Sequence, residues 1–405
     1  MIQRLLEKTV CEALGIARVV HLTGIRQCGK TTLAENVSLP KKTIRSLDDA
    51  MQLRIASNDP TGFVKHDSSV TMVIDEIQKE PMLLNSIKYV VDHDSTVGQY
   101  LITGSANLSL LSKVGDSLAG RKLTCRLRTL SQAELNGREP EFLKRAFSGD
   151  FLMNAPEADK REIIRRALVG GFPGVWRLES QAVRYRLLND YIGDILKKDV
   201  KDVGEIRKLP VLKRLMREMM ARSSKFANTD EFATALGVSK ITIANYIAAL
   251  EAVYLFDKVP AFSDSDYGLV SRPKYFVADT SLVAATFGYN VEEVYLSDDR
   301  CGKLIESWVY QQIASAADIS PDIEISHYRD KDKREIDFIL TNRNGDMVAI
   351  EVKSGSIVSK SDFRHIVHFR DKIAKERFKA GIVLYSGSLA AEMGEGLWVV
   401  PLSVL

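Results

Sequence analysis

The sequence predicts an α/β protein in three parts: a parallel-sheet core at the N-terminus, a mainly helical middle, and a second α/β domain at the C-terminus. Three observations carry this. The stretch ARVVHLTGIRQCGKTTLAENV reads as strand, glycine-bearing loop and helix; residues 181–225 repeat apolar side chains at helical spacing; REIDFILTNRNGDMVAIEVKSG reads as two apolar strands around a turn. With 405 residues, 45% of them apolar, the chain is long enough for two or three separately cored domains and is not a disordered polymer. It contains no run of 18 apolar residues, and MIQRLLEKTVCEALGIARVV lacks the apolar core of a signal peptide, so a cytoplasmic protein without a membrane partner is expected. Cys11, Cys28, Cys125 and Cys301 are too scattered for zinc spacing and are expected to be reduced thiols.

The first element is the most specific. After the apolar strand Val19 to Leu22, GIRQCGKT fits G-x-x-x-x-G-K-[ST] and leads into a helical pattern. Gly24 and Gly29 let backbone N–H groups curl around a β-phosphate at a helix N-terminus, where the dipole also favours anions. Lys30 would bridge the β- and γ-phosphates and the Thr31 hydroxyl would ligate Mg²⁺, with Gln27, Cys28 and Thr32 completing the contact to ATP.

A second strand, in SVTMVIDEIQKEP, ends in an acidic pair at the edge where open parallel sheets bind ligands. Asp75 would join Thr31 in the Mg²⁺ shell, and Glu76 would orient and deprotonate the attacking water. The adjacent pair favours hydrolysis over transfer to a substrate hydroxyl. A third strand, QYLITGSAN, places Thr103 where a sensor of the γ-phosphate would sit. In SLAGRKLTCRLRTLS, Arg121 follows a glycine and is the candidate arginine finger toward a neighbouring subunit, which would require a homo-oligomer.

The ordered set GIRQCGKTT, IRSLDD, NDPTGF, VIDEIQKEP, ITGSAN, SLAGR and GGFPGVW resembles the widespread prokaryotic AAA+-type ATPases that carry a C-terminal domain of uncharacterised function. The resemblance implies a five-stranded parallel AAA+ P-loop core over residues 1–135.

Residues 136–225 are expected to form a helical lid or bundle, with Leu187, Leu188, Tyr191 and Ile195, then Leu212, Leu215, Met216 and Met219, at helical spacing. Residues 181–225 carry twelve Lys/Arg against six Asp/Glu, so this span is +6 while the rest of the +3 chain sums to −3. That asymmetry suits a polyanion, DNA rather than RNA, as well as a solvated helical face. In residues 226–285, NTDEFATALGVSKITIANYIAALEAVYLFDKV shows helix-turn-helix grammar: a cap at Asn228 or Thr229, a turn at Gly237 and a second cap at Ser239. YLFDKVPAF and RPKYFVADT would supply the strands of a winged helix. The second helix has only Lys240 as a base near its start, with Thr242 and Asn245 as polar readers.

Residues 286–405 are the C-terminal α/β domain. A helix over CGKLIESWVYQQIASAA turns Ile305, Trp308, Val309 and Ile313 inward with Glu306 beside that face. For a hairpin centred near Asn344, Asp337 and Glu351 face each other across the ladder, and Glu351 and Lys353 share a face. Opposed carboxylates repel unless a cation compensates. Asp337 and Glu351, completed by Glu306, would hold Mg²⁺, and Lys353 would orient water or steady the phosphorane charge. Glu on a helix, Asp on a strand and ExK on the next strand resembles the restriction-endonuclease-like PD-(D/E)xK fold. The expected whole is an Mg²⁺-dependent ATPase that binds, remodels or cleaves nucleic acid. The alternative is an ATP-dependent switch or DNA-binding regulator whose C-terminal domain binds without cutting.

Overall fold

The computed structural model describes residues 2–105, 118–151, 156–200, 206, 208–226, 228–263, 272–320 and 322–405. Ala106 and Asn107 of ITGSAN and Ser117 of SLAGR lie outside the described residues. The N-terminal core is a five-stranded sheet of β1 (Val19–Thr23), β2 (Lys42–Ser46), β3 (Thr71–Asp75), β4 (Tyr100–Gly104) and β5 (Lys122–Arg126) in the order β2-β3-β4-β1-β5. Every pairing is parallel. The three central strands are almost wholly buried, as their unbroken apolar runs demand. Because the strands run one way, Thr23, Asp75 and Gly104 end on a single edge.

The middle is helical, and its helices divide between two cores instead of forming one bundle. Helices Phe142–Ser148 and Lys160–Val169 bury Phe142, Leu143, Ile163 and Ile164 in the core of the C-terminal domain. Helices Gln181–Lys197 and Leu209–Ala221 instead bury Leu188, Ile195, Leu215 and Met219 in the core beneath β1 and β5. Asn228 and Ser239 cap helices Thr229–Leu236 and Lys240–Ala252, accepting from the backbone N–H of Asp230 and Thr242. Gly237 takes the left-handed conformation between them, and the two axes differ by 109°. An antiparallel ribbon follows, β6 (Phe256–Val259) with β7 (Lys274–Val277). No single described helix is long and apolar enough to cross a membrane.

The C-terminal sheet has six strands: β8 (Ile323–Arg329), β9 (Glu335–Asn342), β10 (Met347–Val352), β11 (Phe378–Tyr385), β12 (Ala391–Gly394) and β13 (Leu397–Pro401), ordered β12-β13-β11-β10-β9-β8. The hairpin register is as the sequence symmetry predicts. Phe338 pairs with Ile350 and Thr341 with Met347, which puts Asp337 and Glu351 on the next rung. Helix Asp298–Asp318 lies on one face of the sheet, packing Ile305 and Trp308 with Phe338 and Val348. It is longer than expected and buried on most sides, because the middle segment covers the surface that the sheet leaves free. Gln311 and Gln312 are buried there too, bonded to Thr129 Oγ1 (2.9 Å) and the Gln132 N–H (2.7 Å).

The three parts meet at Asp257 on β6. Its carboxylate accepts from the guanidinium groups of Arg126 at the end of β5 and Arg128 just after it, and from the Tyr310 hydroxyl at 2.9 Å. Arg128 also donates to Asp318 Oδ2 at 2.6 Å. Burial opposes the charge of Asp257, but the two arginines hold its pKa well below the ordinary carboxylate range. Removing one partner from a buried ion network leaves uncompensated charge, which costs about 3–5 kcal/mol. Asp257→Ala should therefore lower the urea-unfolding midpoint sharply; an unchanged midpoint would show that the junction does not hold the parts together.

Candidate active site

Two glycines shape the loop between β1 and helix Lys30–Asn36. A Cβ on Gly24 (φ 148°) would stand 2.0 Å from the Leu127 carbonyl oxygen, and Gly29 (φ 103°) opens the helix in a conformation that side chains resist. Gln27 is exposed at the loop tip, with φ 63°. Lys30 is only 4% exposed, and its ammonium donates to the carbonyls of Gly24 (2.9 Å) and Ile25 (3.1 Å). Those bonds are ones that phosphate oxygens can replace. Cys28 sits in the loop by its backbone. Its thiol is fully buried and directed at the Leu127 carbonyl (3.3 Å), so it contributes only backbone to the loop. Thr32 is exposed on the outer side of the helix.

At the sheet edge two hydroxyls converge on one carboxylate oxygen. Thr31 Oγ1 donates to Asp75 Oδ1 at 3.0 Å, and Thr103 Oγ1 donates to the same oxygen at 2.5 Å. Thr103 is completely buried and also accepts from the Glu76 N–H at 3.1 Å. With no nucleotide present, the Thr103 hydroxyl is used on both sides and ties Asp75 to the Glu76 backbone. Glu76 adopts a left-handed backbone (φ 59°), and its carboxylate accepts from Gln78 Nε2. Burial raises its pKa, more than Lys30 and the Gln78 bond lower it.

Several neighbours of the loop escaped the sequence reading. Arg4 straps it from below, donating to the Cys28 carbonyl and the Arg128 carbonyl (both 2.7 Å) and to Glu134 Oε1 (2.9 Å). Arg26 pairs with Asp199 at 2.7 Å. Beside Gly29 lies a cavity of about 430 Å³, lined by Gln3, Thr32, Leu33, Pro173, Trp176 and Arg177 among others. Pro173 and Trp176 come from GGFPGVW; a proline and a tryptophan in a glycine-rich loop were the only signal.

Arg121 stands apart. It precedes β5, at the opposite end of the sheet from the loop, and its guanidinium pairs with Asp92. It cannot reach the phosphate loop of its own chain, so a finger role would need a second copy and release of Asp92.

In the C-terminal domain the expected carboxylates do converge, but on an ammonium. Lys274 of β7 is fully buried and donates to Glu335 Oε1 (2.8 Å), Glu306 Oε1 (3.0 Å) and Asp337 Oδ1 (3.2 Å). Lys225 pairs with the other oxygen of Glu306 (3.2 Å). The Val352 N–H holds Asp337 Oδ2 at 2.9 Å, and Lys353 pairs with Glu351 at 3.0 Å. Among the described residues, no three metal-ligating side chains are arranged to hold a metal ion. The expected Mg²⁺ set of Glu306, Asp337 and Glu351 is corrected accordingly: a lysine from another segment balances the charge that a metal would have balanced, and Lys353 is engaged by its neighbour. Sequence reasoning missed Lys274 because nothing in RPKYFVADT marks it as buried.

Comparison with known proteins finds three family matches along the chain. Residues 17–136, the span that holds the five-stranded parallel sheet, match the family described as AAA domain. Residues 160–293 and 301–405 match two domains of unknown function, DUF8612 and DUF4143. An uncharacterised protein of Mycobacterium tuberculosis is 26% identical over 352 residues, covering 86% of this chain and 73% of the relative. One from Methanocaldococcus jannaschii is 21% identical over 320 residues, covering 75% and 67%. Among solved structures, the RuvB Holliday junction branch migration motor of Thermotoga maritima is 19% identical with a TM-score of 0.28, covering 63% of this chain and 89% of that one. The ORC1 protein of Aeropyrum pernix in complex with DNA is 15% identical with a TM-score of 0.27, covering 73% and 95%.

Burial, then the Asp337 charge, push the Glu351 carboxyl up to about 8, against an ordinary value of 4.5. Between those values the folded chain holds a proton that the unfolded chain has released, so this group's contribution to stability falls as pH rises, by up to about 1.4 kcal/mol per pH unit. Glu351→Gln should flatten the pH dependence of urea unfolding across that window. An identical slope in the variant and the parent would place the titration elsewhere.

Proposed function

We propose that the chain is an Mg²⁺-dependent ATPase that uses hydrolysis to remodel its contacts with nucleic acid, DNA in preference to RNA. The observation that carries this is the convergence of Thr31 and Thr103 on Asp75, beside Lys30 and Glu76, at the edge where the parallel strands end. The donor set fits the cofactor: one hydroxyl and one carboxylate leave room for water and phosphate oxygens, as Mg²⁺ prefers. Thr31 and Asp75 would hold the ion, which when bound neutralises charge on the phosphates. Lys30 exchanges its loop carbonyls for phosphate oxygens. Glu76, pinned through its N–H to Thr103 and with its proton affinity raised by burial, takes the proton of the attacking water. The cavity beside Gly29 is within the range of small-molecule sites, and the Trp176 ring supplies an aromatic face for the base.

Glu76→Gln should cut ATP turnover by roughly 100-fold or more while leaving binding intact. Trp176→Ala should weaken binding by about tenfold, the scale of one lost stacking contact. A fluorescent ATP analogue separates the two, and unaltered turnover in Glu76→Gln would remove the glutamate from the mechanism.

Support for nucleic acid comes from helix Leu209–Ala221, whose apolar side is buried and whose Lys213, Arg214 and Arg217 are exposed. Helix Lys240–Ala252 supports it less: its one terminal lysine is paired with Asp230 at 2.8 Å, and Ile241 is 74% exposed beside it. A non-cutting C-terminal domain is favoured by the Lys274 ammonium among the carboxylates. DNA should stimulate ATP turnover in a salt-sensitive manner, and Lys213→Glu with Arg214→Glu should abolish that stimulation. ATP turnover indifferent to DNA and RNA at low salt would sink the nucleic-acid part alone.

A further inference from the structure

We propose that Lys274 fills a latent divalent-cation site, so that the middle segment keeps the C-terminal domain metal-free while the ribbon is docked. The inference does not depend on ATP hydrolysis. Its basis is the origin and burial of the ammonium. Glu306 comes from the long helix and Glu335 and Asp337 from β9, all within the C-terminal domain, whereas Lys274 comes from β7, a strand of the two-stranded ribbon. The lysine side chain has no exposed surface, and each carboxylate gives it one oxygen at 2.8–3.2 Å.

The charges around it are nearly balanced. Four carboxylates, Glu306, Glu335, Asp337 and Glu351, face three ammonium groups, Lys225, Lys274 and Lys353. Buried carboxylates at this spacing need a cation, and an ammonium that donates three hydrogen bonds meets the need. Without it, Glu306 and Asp337, already fixed by Lys225 and by the Val352 N–H, would offer oxygens to a hard cation and water.

Lys274 is carried on a ribbon that belongs to the middle segment yet is packed into the C-terminal core, where Val259 and Phe276 are buried. It pairs with Val259 across the ribbon and with Phe226 through an isolated bridge. The ribbon also meets the C-terminal domain through Phe276, which packs on Tyr310 and Phe338, through the bond from Tyr310 to Asp257, and through the bridge at Ala261 and His327 that follows β6. At its near end, Tyr254 bonds Thr23, the residue before the phosphate loop.

The test uses the full chain, nucleotide-free, titrated with Mn²⁺ alone and followed by electron paramagnetic resonance. Lys274→Met, which keeps the stem and removes the charge, should gain one Mn²⁺ site at least tenfold tighter than any in the parent. Adding Asp337→Asn to that variant should abolish the gain. A folded Lys274→Met chain with no new site overturns the proposal. The unsubstituted chain gives a second reading that does not depend on the variant folding. If it binds Mn²⁺ in a manner lost in Asp337→Asn, metal enters with the lysine in place and the proposal fails; if it shows no Asp337-dependent site, the lysine is excluding metal. None of these outcomes touches ATP hydrolysis, which stands or falls on Glu76.

Discussion

The arrangement of the whole chain depends on one buried carboxylate. Asp257 takes two arginines from the end of the N-terminal sheet and a tyrosine from the long helix of the C-terminal domain, and it belongs to the middle segment itself. An isolated carboxylate at 4% side-chain exposure would be costly; with those partners it is charged and fixed. Desolvation also makes the junction directional, because each guanidinium has a planar fork that accepts few orientations. The parts are thus held by geometry as well as by apolar burial. A second buried acid, Asp279, works the same way, accepting from the Gly171 N–H and from Gln311.

The same physics explains why the two lysine-bearing sites differ in meaning. Lys30 has only neutral partners, two carbonyls of its own loop, so a polyphosphate would improve its surroundings. Lys274 already has three carboxylates. Burial pulls its pKa down, but Glu306, Asp337 and Glu335 push it well above the ordinary lysine value, so it remains an ammonium at any physiological pH. One site is electrostatically unfinished and invites a ligand; the other is complete.

What the sequence disclosed follows from how local each feature is. The phosphate loop, the acidic pair and the hairpin register are written in short spans, where glycine conformations, strand direction and period-two alternation fix the outcome. The three central strands of the parallel sheet were legible because each is a separate apolar run, whereas the polar edge strands β2 and β5 are not, and the five-strand count came from the resemblance. What was hidden depends on partners far away in the chain. Arg4 meets Glu134, Arg128 meets Asp257 and Asp318, and Lys274 meets carboxylates 32 and 63 residues on. A lone basic residue in a strand carries no mark of burial. Thr103 and Cys28 were assigned to nucleotide because their positions are near it, yet side-chain direction turns one toward Asp75 and the other into the core. Which core each middle helix would join was hidden for a related reason: helical periodicity shows that a face will be buried, not against which sheet.

Backbone conformation adds a last link between the nucleotide edge and the ribbon. Seven non-glycine residues among those described have positive φ, and three of them, Gln27, Glu76 and Tyr254, lie on or against the phosphate loop and the acidic pair. Left-handed glutamate and tyrosine each cost on the order of 1–3 kcal/mol, so the surrounding contacts must over-determine them. For Tyr254 these are the Thr23 hydroxyl at 2.9 Å and the Arg126 guanidinium 4.8 Å from its ring. Both partners are fixed in turn, Thr23 by β1 and Arg126 by Asp257. A displacement of the loop that loosened the Thr23 contact would let Tyr254 relax toward an ordinary conformation. That relaxation would draw on the start of β6, three residues before Asp257 and on the ribbon that carries Lys274. The left-handed tyrosine is thus held between β1 and the Asp257 junction, so the contacts that fix the ribbon also fix the edge where the phosphate loop begins.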